Sequence, residues 1–122
     1  MVIYSVLLNI VSATDLYADI TGILEAYVSF KTNRTEKQTT RQYEKSLNPF
    51  WCEEFPAVIE DGEEIIFHIK NGKSLKKSVG IASYVFSPMK IGDIRREKIP
   101  IKDVGTLTIK ITCQNIEQPP YN

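Results

Sequence analysis

Apolar and polar residues alternate with period two along much of this chain, and that pattern confines the fold to strands. The last segment shows it most cleanly: Leu107, Ile109, Ile111 and Cys113 alternate with Thr106, Thr108, Lys110 and Thr112. An extended chain sends successive side chains to opposite sides, so such a run buries one face and solvates the other. The first segment sets Tyr4, Val6, Leu8 and Ile10 against Ser5, Leu7, Asn9 and Val11. Near 25–32, Ala26, Val28 and Phe30 oppose Tyr27, Ser29 and Lys31; over 64–70, Ile65, Phe67 and Ile69 oppose Ile66, His68 and Lys70. Further strands are expected at about 36–43, 51–58, 79–86 and 95–101, with the last at 104–113. No stretch keeps a helical period for three turns. Eight short strands with polar or Gly/Pro-bearing connections predict an all-β, eight-stranded antiparallel sandwich.

At 122 residues the chain is expected to be one domain, large enough to bury roughly two-thirds of its unfolded surface without cross-links. Residues 1–114 are expected to form it, with 115–122, which include Pro119-Pro120, as a tail or linker. Cys52, Cys113 and the single histidine, His68, lack the ligand spacing of a zinc site, which points to a reduced, cytoplasmic protein without cofactor. Residues 2–12 are apolar, but Asn9 interrupts them, and neither a basic lead nor a small-residue cleavage site accompanies them, so they read as a strand. Nothing approaches the ~18 consecutive apolar residues of a membrane span, so any membrane contact is expected to be peripheral, at the cytoplasmic face. His68 has no Ser, Cys or Asp partner in a triad-like motif, and no phosphate-binding loop is present; no enzymatic activity is expected.

The formal net charge is zero, but the charges are unevenly distributed. Lys31, Arg34, Lys37, Arg41 and Lys45 outnumber the acids of 31–45, and Lys70, Lys73, Lys76 and Lys77 stand in 70–77 with no acid. Glu53, Glu54, Glu60, Asp61, Glu63 and Glu64 stand in 53–64 with no base. Blocks of this kind give a neutral protein a polar field. Stacking aromatics are not interleaved with the basic segments and the chain is not basic overall, which argues against nucleic acid as a partner.

The run Ser46-Leu47-Asn48-Pro49-Phe50-Trp51-Cys52-Glu53-Glu54-Phe55 combines a chain reversal at Asn48-Pro49 with an outgoing aromatic strand. A Leu-Asn-Pro-aromatic-Trp run ending in Glu-Phe is similar to a signature of C2 domains, β-sandwich modules that mostly dock signalling or vesicle-trafficking proteins onto membranes. Upstream, Gly22-Ile23-Leu24-Glu25-Ala26-Tyr27-Val28 resembles the family's Gly-x-x-Asp-Pro-Tyr-Val, and Val79-Gly80 sits where the family has Ile-Gly. The resemblance implies a structural role for Trp51. The strand order, with an extra C-terminal strand, resembles the phospholipase-like type II permutation. In that fold the loops at 14–25 and 71–78 meet at one end of the sandwich.

Calcium-dependent members of the family gather about five aspartates from those two loops, because a hard cation needs six to eight oxygens. The resemblance puts Asp19, Glu25 and Asn71 at ligand positions, with Lys73 and Lys77 where carboxylates belong. Like charge repels the ion and its ligands are missing, so no metal is expected and Asp19, Glu25 and Asn71 leave at most a weak calcium site. Tyr17, Ile20 and Leu75 are the apolar residues expected at loop tips, within a rim of Lys70, Lys73, Lys76 and Lys77, while Leu16 is expected to be buried. An apolar tip in a basic rim suits an anionic lipid surface. Lys37 and Arg41 lie in the region where other members bind phosphoinositide head groups, and a spacing of four puts them on one face of a strand. The resemblance therefore implies a peripheral membrane-targeting module that binds anionic phospholipid largely without calcium. The alternative is a protein-interaction or scaffold domain whose acidic block or basic strand faces a protein partner.

Overall fold

The computed structural model describes residues 1–16, 25–41, 46–72, 78–102 and 104–118. Eight strands form: β1 (Ile3–Thr14), β2 (Ala26–Thr32), β3 (Thr35–Thr39), β4 (Phe50–Glu60), β5 (Glu64–Asn71), β6 (Ser78–Val85), β7 (Ile94–Ile101) and β8 (Gly105–Glu117). They pair antiparallel in two four-stranded sheets, ordered β4-β1-β8-β7 and β3-β2-β5-β6. The expected antiparallel sandwich is the observed fold. Among the described residues no helix is long and apolar enough to cross a membrane.

The inward rows are those that alternation marks. Tyr4, Val6, Leu8 and Ile10 of β1 meet Ile65, Phe67 and Ile69 of β5 and Leu107, Ile109, Ile111 and Cys113 of β8 in one buried cluster. Phe30 ties the sheets together, its ring 5.5 Å from Phe67 and 5.7 Å, edge-on, from Phe55. At one corner, where β3 meets β4, threonine hydroxyls stitch the layers: Thr32 donates to the Val58 carbonyl at 2.7 Å, and Thr35 accepts from the Val58 amide at 2.8 Å. At the far end, the Arg95 guanidinium fixes the connection into β7 by donating to Tyr84 Oη and to the carbonyls of Ser87 and Pro88.

The signature run has a clear mechanical role. Between Ile10 and Ser12 of β1 stands only Val11, but β4 fits both Trp51 and Cys52 into the same interval, a bulge in which Cys52 takes a φ of 50°. The extra residue turns Trp51 inward, where it is 1% exposed and its Nε1 donates to the Ala26 carbonyl of the opposite sheet at 3.1 Å. A left-handed non-glycine residue costs on the order of 1 kcal/mol, a small sum beside the burial of an indole. Gly105 opens β8 for a steric reason: a Cβ there would collide with the Thr14 and Asp15 carbonyls at the end of β1.

Two boundaries differ from the sequence pattern. β8 runs on to Glu117, and Ile3 pairs with that residue, so 115–117 belong to the sheet; Ile116 packs against the core and extends the ladder. β3 stops at Thr39, because Thr40 turns inward and is held by two bonds to Val28: its Oγ1 accepts from the Val28 amide, and its own amide donates to the Val28 carbonyl, each at 2.9 Å. Lys37 and Arg41 therefore do not share a strand face, contrary to the expectation from their spacing.

Candidate functional site

At one end of the sandwich, the connections at 17–24, 42–45 and 73–77 spring from roots that are tied together. The Leu16 amide donates to the Leu47 carbonyl at 2.9 Å, Ala13 to the Pro49 carbonyl at 3.0 Å, and Asp15 to Asn48 Oδ1 at 2.9 Å. The Gly72 amide donates to the Glu25 carbonyl at 2.9 Å, and the Glu25 amide to Asn71 Oδ1 at 3.1 Å. The expected meeting of the two loops thus holds at their roots, and Leu16 is buried as expected. Tyr17, Asp19, Ile20, Lys73, Leu75, Lys76 and Lys77 lie outside the described residues.

Glu25 and Asn71 can be placed. Asn71 is buried, and its side-chain oxygen braces the first loop's root to the second. That role alone explains an amide at this position. Among the described residues no cluster of three His, Cys, Asp or Glu side chains could hold a metal ion. Those two residues are too few to supply the six or more oxygens that calcium requires.

A second feature lies on the outer face of the β3-β2-β5-β6 sheet. Tyr27 stands opposite Lys70, and Ser29 stands opposite both His68 on β5 and Thr39 on β3, so these side chains share the solvent side. Of these, Ser29, His68 and Lys70 line an open cleft of about 640 Å³ whose walls also include Lys31, Lys37, Glu63 and Glu64. The one ion pair among the described residues is Arg34 with Glu60, 2.9 Å apart, so Lys31, Lys37 and Lys70 have no carboxylate partner there. Glu63 forms no ion pair with them; its Oε2 accepts from the Asn33 amide at 2.6 Å and its Oε1 from the Glu60 amide at 3.0 Å.

The family model of the C2 domain matches residues 5–101. The chain belongs to the C2 domain family. Among solved structures, this C2 domain superposes on a C2 domain of a plant extended synaptotagmin 1 with a TM-score of 0.80 at 19% identity, covering 91% of this chain and 94% of that one. Human GIVD cytosolic phospholipase A2 matches with a TM-score of 0.76 at 18% identity, over 92% of this chain but only 17% of the phospholipase. A C2 domain-containing protein from a putative elicitor-responsive gene matches with a TM-score of 0.73 at 23% identity, covering 97% and 93% of the two chains. No curated protein sequence matches the chain significantly.

Of the residues expected to bind lipid, the C2 fold brings Lys37 and Lys70 to one cleft and takes Arg41 elsewhere. The Arg41 amide donates to Glu53 Oε2 at 2.8 Å and its guanidinium to the Trp51 carbonyl at 3.4 Å, which ties it to β4 near the loop end. Lys31 and His68 join the cleft although sequence reasoning gave them no such role; alternation put each on a strand's outer side, and only the pairing of β2 with β5 puts them together. Sequence reasoning also missed Leu47 and Phe50, which are 44% and 55% exposed at the loop end. Phe50 opens a strand, which suggests a core aromatic, yet the bulge that turns Trp51 inward leaves its neighbour facing out. The thiol of Cys113 is held above its ordinary range by burial and then by Asp93, which disfavours the thiolate.

Proposed function

We propose that this C2 domain is a peripheral membrane-docking module that binds anionic phospholipid largely without calcium, at the cytoplasmic face. The observation that carries the reading is the cleft, where Lys31, Lys37 and Lys70 stand on one solvent face with no carboxylate partner among the described residues. Each lysine near an anionic surface contributes about 1 kcal/mol. Three of them suffice for reversible association. The exposed Leu47 and Phe50 add apolar area at the loop end, where each buried CH₂ is worth about 0.8 kcal/mol. The loop residues Tyr17, Ile20, Leu75, Lys73, Lys76 and Lys77 would enlarge this surface. The strand order β4-β1-β8-β7, with the C-terminal strand between β1 and β7, supports the type II reading.

Calcium has little part in this reading. Lysines 73 and 77 stand where the family places acids, and Asn71 Oδ1 is engaged by the Glu25 amide. The protein-partner alternative draws no support from the acidic block, which does not form one face. Glu53 and Glu54 sit in the first half of β4, whereas Glu60 ends that strand and Asp61 to Glu64 follow it, roughly 20 Å away. Glu53, Glu60 and Glu63 are moreover engaged by Arg41, Arg34 and backbone amides.

Sedimentation with phosphatidylserine-containing vesicles in chelator, at two salt concentrations, tests the proposal. Pelleting that falls as salt rises, and falls again in a Lys37→Gln, Lys70→Gln double variant, is the expected result. No pelleting at low salt would overturn it in favour of the protein-partner reading.

A further inference from the structure

His68 is the chain's single histidine, and it stands in the lysine-walled cleft just described. Its surroundings can be named strand by strand. On β5 its neighbours on the same face are Ile66 and Lys70, with Glu64 beyond. On β2 it faces Ser29, with Tyr27 and Lys31 on either side; on β6 it faces Ile81, with Ser83 next on that face. Lys37 reaches the same cleft from β3, and the carboxylate of Glu63 is taken up by two backbone amides. Among the described residues, the charged groups that line the cleft with the imidazole are thus the cations of Lys31, Lys37 and Lys70 and the carboxylates of Glu63 and Glu64, with Lys70 two residues and Glu64 four residues from it along β5.

Histidine is the side chain whose unperturbed charge change falls between pH 5 and 8. In the free domain, a proton on this imidazole adds a positive charge to a cleft whose lining already holds three lysines against two glutamates. Against an anionic surface that same charge is favourable. Proton binding and anion binding at one site must then strengthen each other, by the reciprocity that governs any pair of linked ligands.

We infer that His68 makes docking pH-dependent: protonation adds a further cation to the cleft, so the domain binds an anionic bilayer more tightly as pH falls through the histidine range. The inference rests on the docking reading above and gives that surface a regulator. One added cation near the membrane is worth about fivefold in partition coefficient.

The test is vesicle sedimentation at about pH 7.5 and about pH 5.5, using phosphatidylcholine vesicles doped with phosphatidylglycerol, whose charge is constant over that interval. The wild-type domain is expected to partition about fivefold more strongly at the lower pH. In Lys70→Gln the affinity drops at both pH values and the ratio persists. In His68→Gln and in His68→Lys the ratio collapses towards one, the first because the charge is never present and the second because it always is. As a check that needs no variant, the lone imidazole resonance of the wild type, followed by NMR, is expected to titrate at higher pH with vesicles than without. A wild-type ratio near one, a ratio that survives His68→Gln, or a titration unmoved by vesicles would each overturn the inference while leaving the docking reading intact. Absence of binding at both pH values would instead overturn the docking reading, and this inference with it.

Discussion

The outer faces of the two sheets carry similar numbers of cations and arrange them differently. Across the β4-β1-β8-β7 sheet, cross-strand neighbours read Glu54, Asn9, Lys110 and Arg96 in a row, so an acid and an amide accompany the bases. Across the other sheet the corresponding row is Thr39, Ser29, His68 and Ile81, with Lys70 and Lys31 two residues from His68 and Ser29 and no acid among them. The first arrangement is a solvated surface on which an acid stands in line with the bases. The second gathers three lysines and the histidine in a cleft shared with Glu63 and Glu64, where low-dielectric walls focus the field of its charges. What decides binding is which strands lie side by side, since the linear count of lysines is nearly the same.

Charge reversal on one face at a time is the most forceful way to break this comparison. Lys31→Glu, Lys37→Glu and Lys70→Glu together remove three favourable terms of about 1 kcal/mol and replace them with repulsion, so binding to anionic vesicles at low salt is expected to fall more than about 100-fold. The matching set on the other face, Arg96→Glu, Lys98→Glu and Lys110→Glu, makes the same change in net charge and is expected to cost less than about tenfold. Equal losses from the two sets would mean that net charge, and no particular face, attracts the membrane.

The strands were legible because each buries one face, and alternation records that directly in Leu107, Ile109 and Ile111 or in Ile65, Phe67 and Ile69. Trp51 was legible through its turn. The cleft was not, since Lys31 and His68 are far apart in the chain and become neighbours only through the β2 to β5 ladder. The early end of β3 was equally hidden: Thr40 looks like one more polar strand residue until its hydroxyl meets the Val28 amide. Tertiary partners of this kind leave no local signal.

Glu63 offers a finer test, because it belongs to the cleft and to the framework at once. Its buried carboxylate accepts from the Asn33 and Glu60 amides. Glu63→Gln keeps one acceptor and turns a donor towards the other amide, so a loss of about 2 kcal/mol is expected by chemical denaturation. The same change removes a negative charge from the cleft, and vesicle binding by the folded fraction is expected to rise by up to about fivefold. Stability and binding would thus move in opposite directions. If both fell, the backbone that Glu63 holds would be what shapes the cleft for binding.

Asn9 gives the smallest test and concerns the opposite face. It is 6% exposed; its Nδ2 lies 3.8 Å from the Cys52 sulfur, a weak acceptor, and its Oδ1 is buried without a hydrogen-bond partner among the described residues. A buried carbonyl oxygen that has lost water and gained nothing carries a desolvation cost of about 1 to 3 kcal/mol, and asparagine is poorly suited to a strand. Asn9→Leu removes both penalties at the expense of some crowding beside Cys52, for a net gain of about 1 kcal/mol, which a domain of this size shows as roughly 4 °C in Tm. Vesicle binding is expected to stay unchanged, because the substitution is on the sheet opposite the cleft. A lower Tm would show that Asn9 is held by an ordered water whose loss costs more than the desolvation it relieves, and altered vesicle binding would show that this face also meets the membrane.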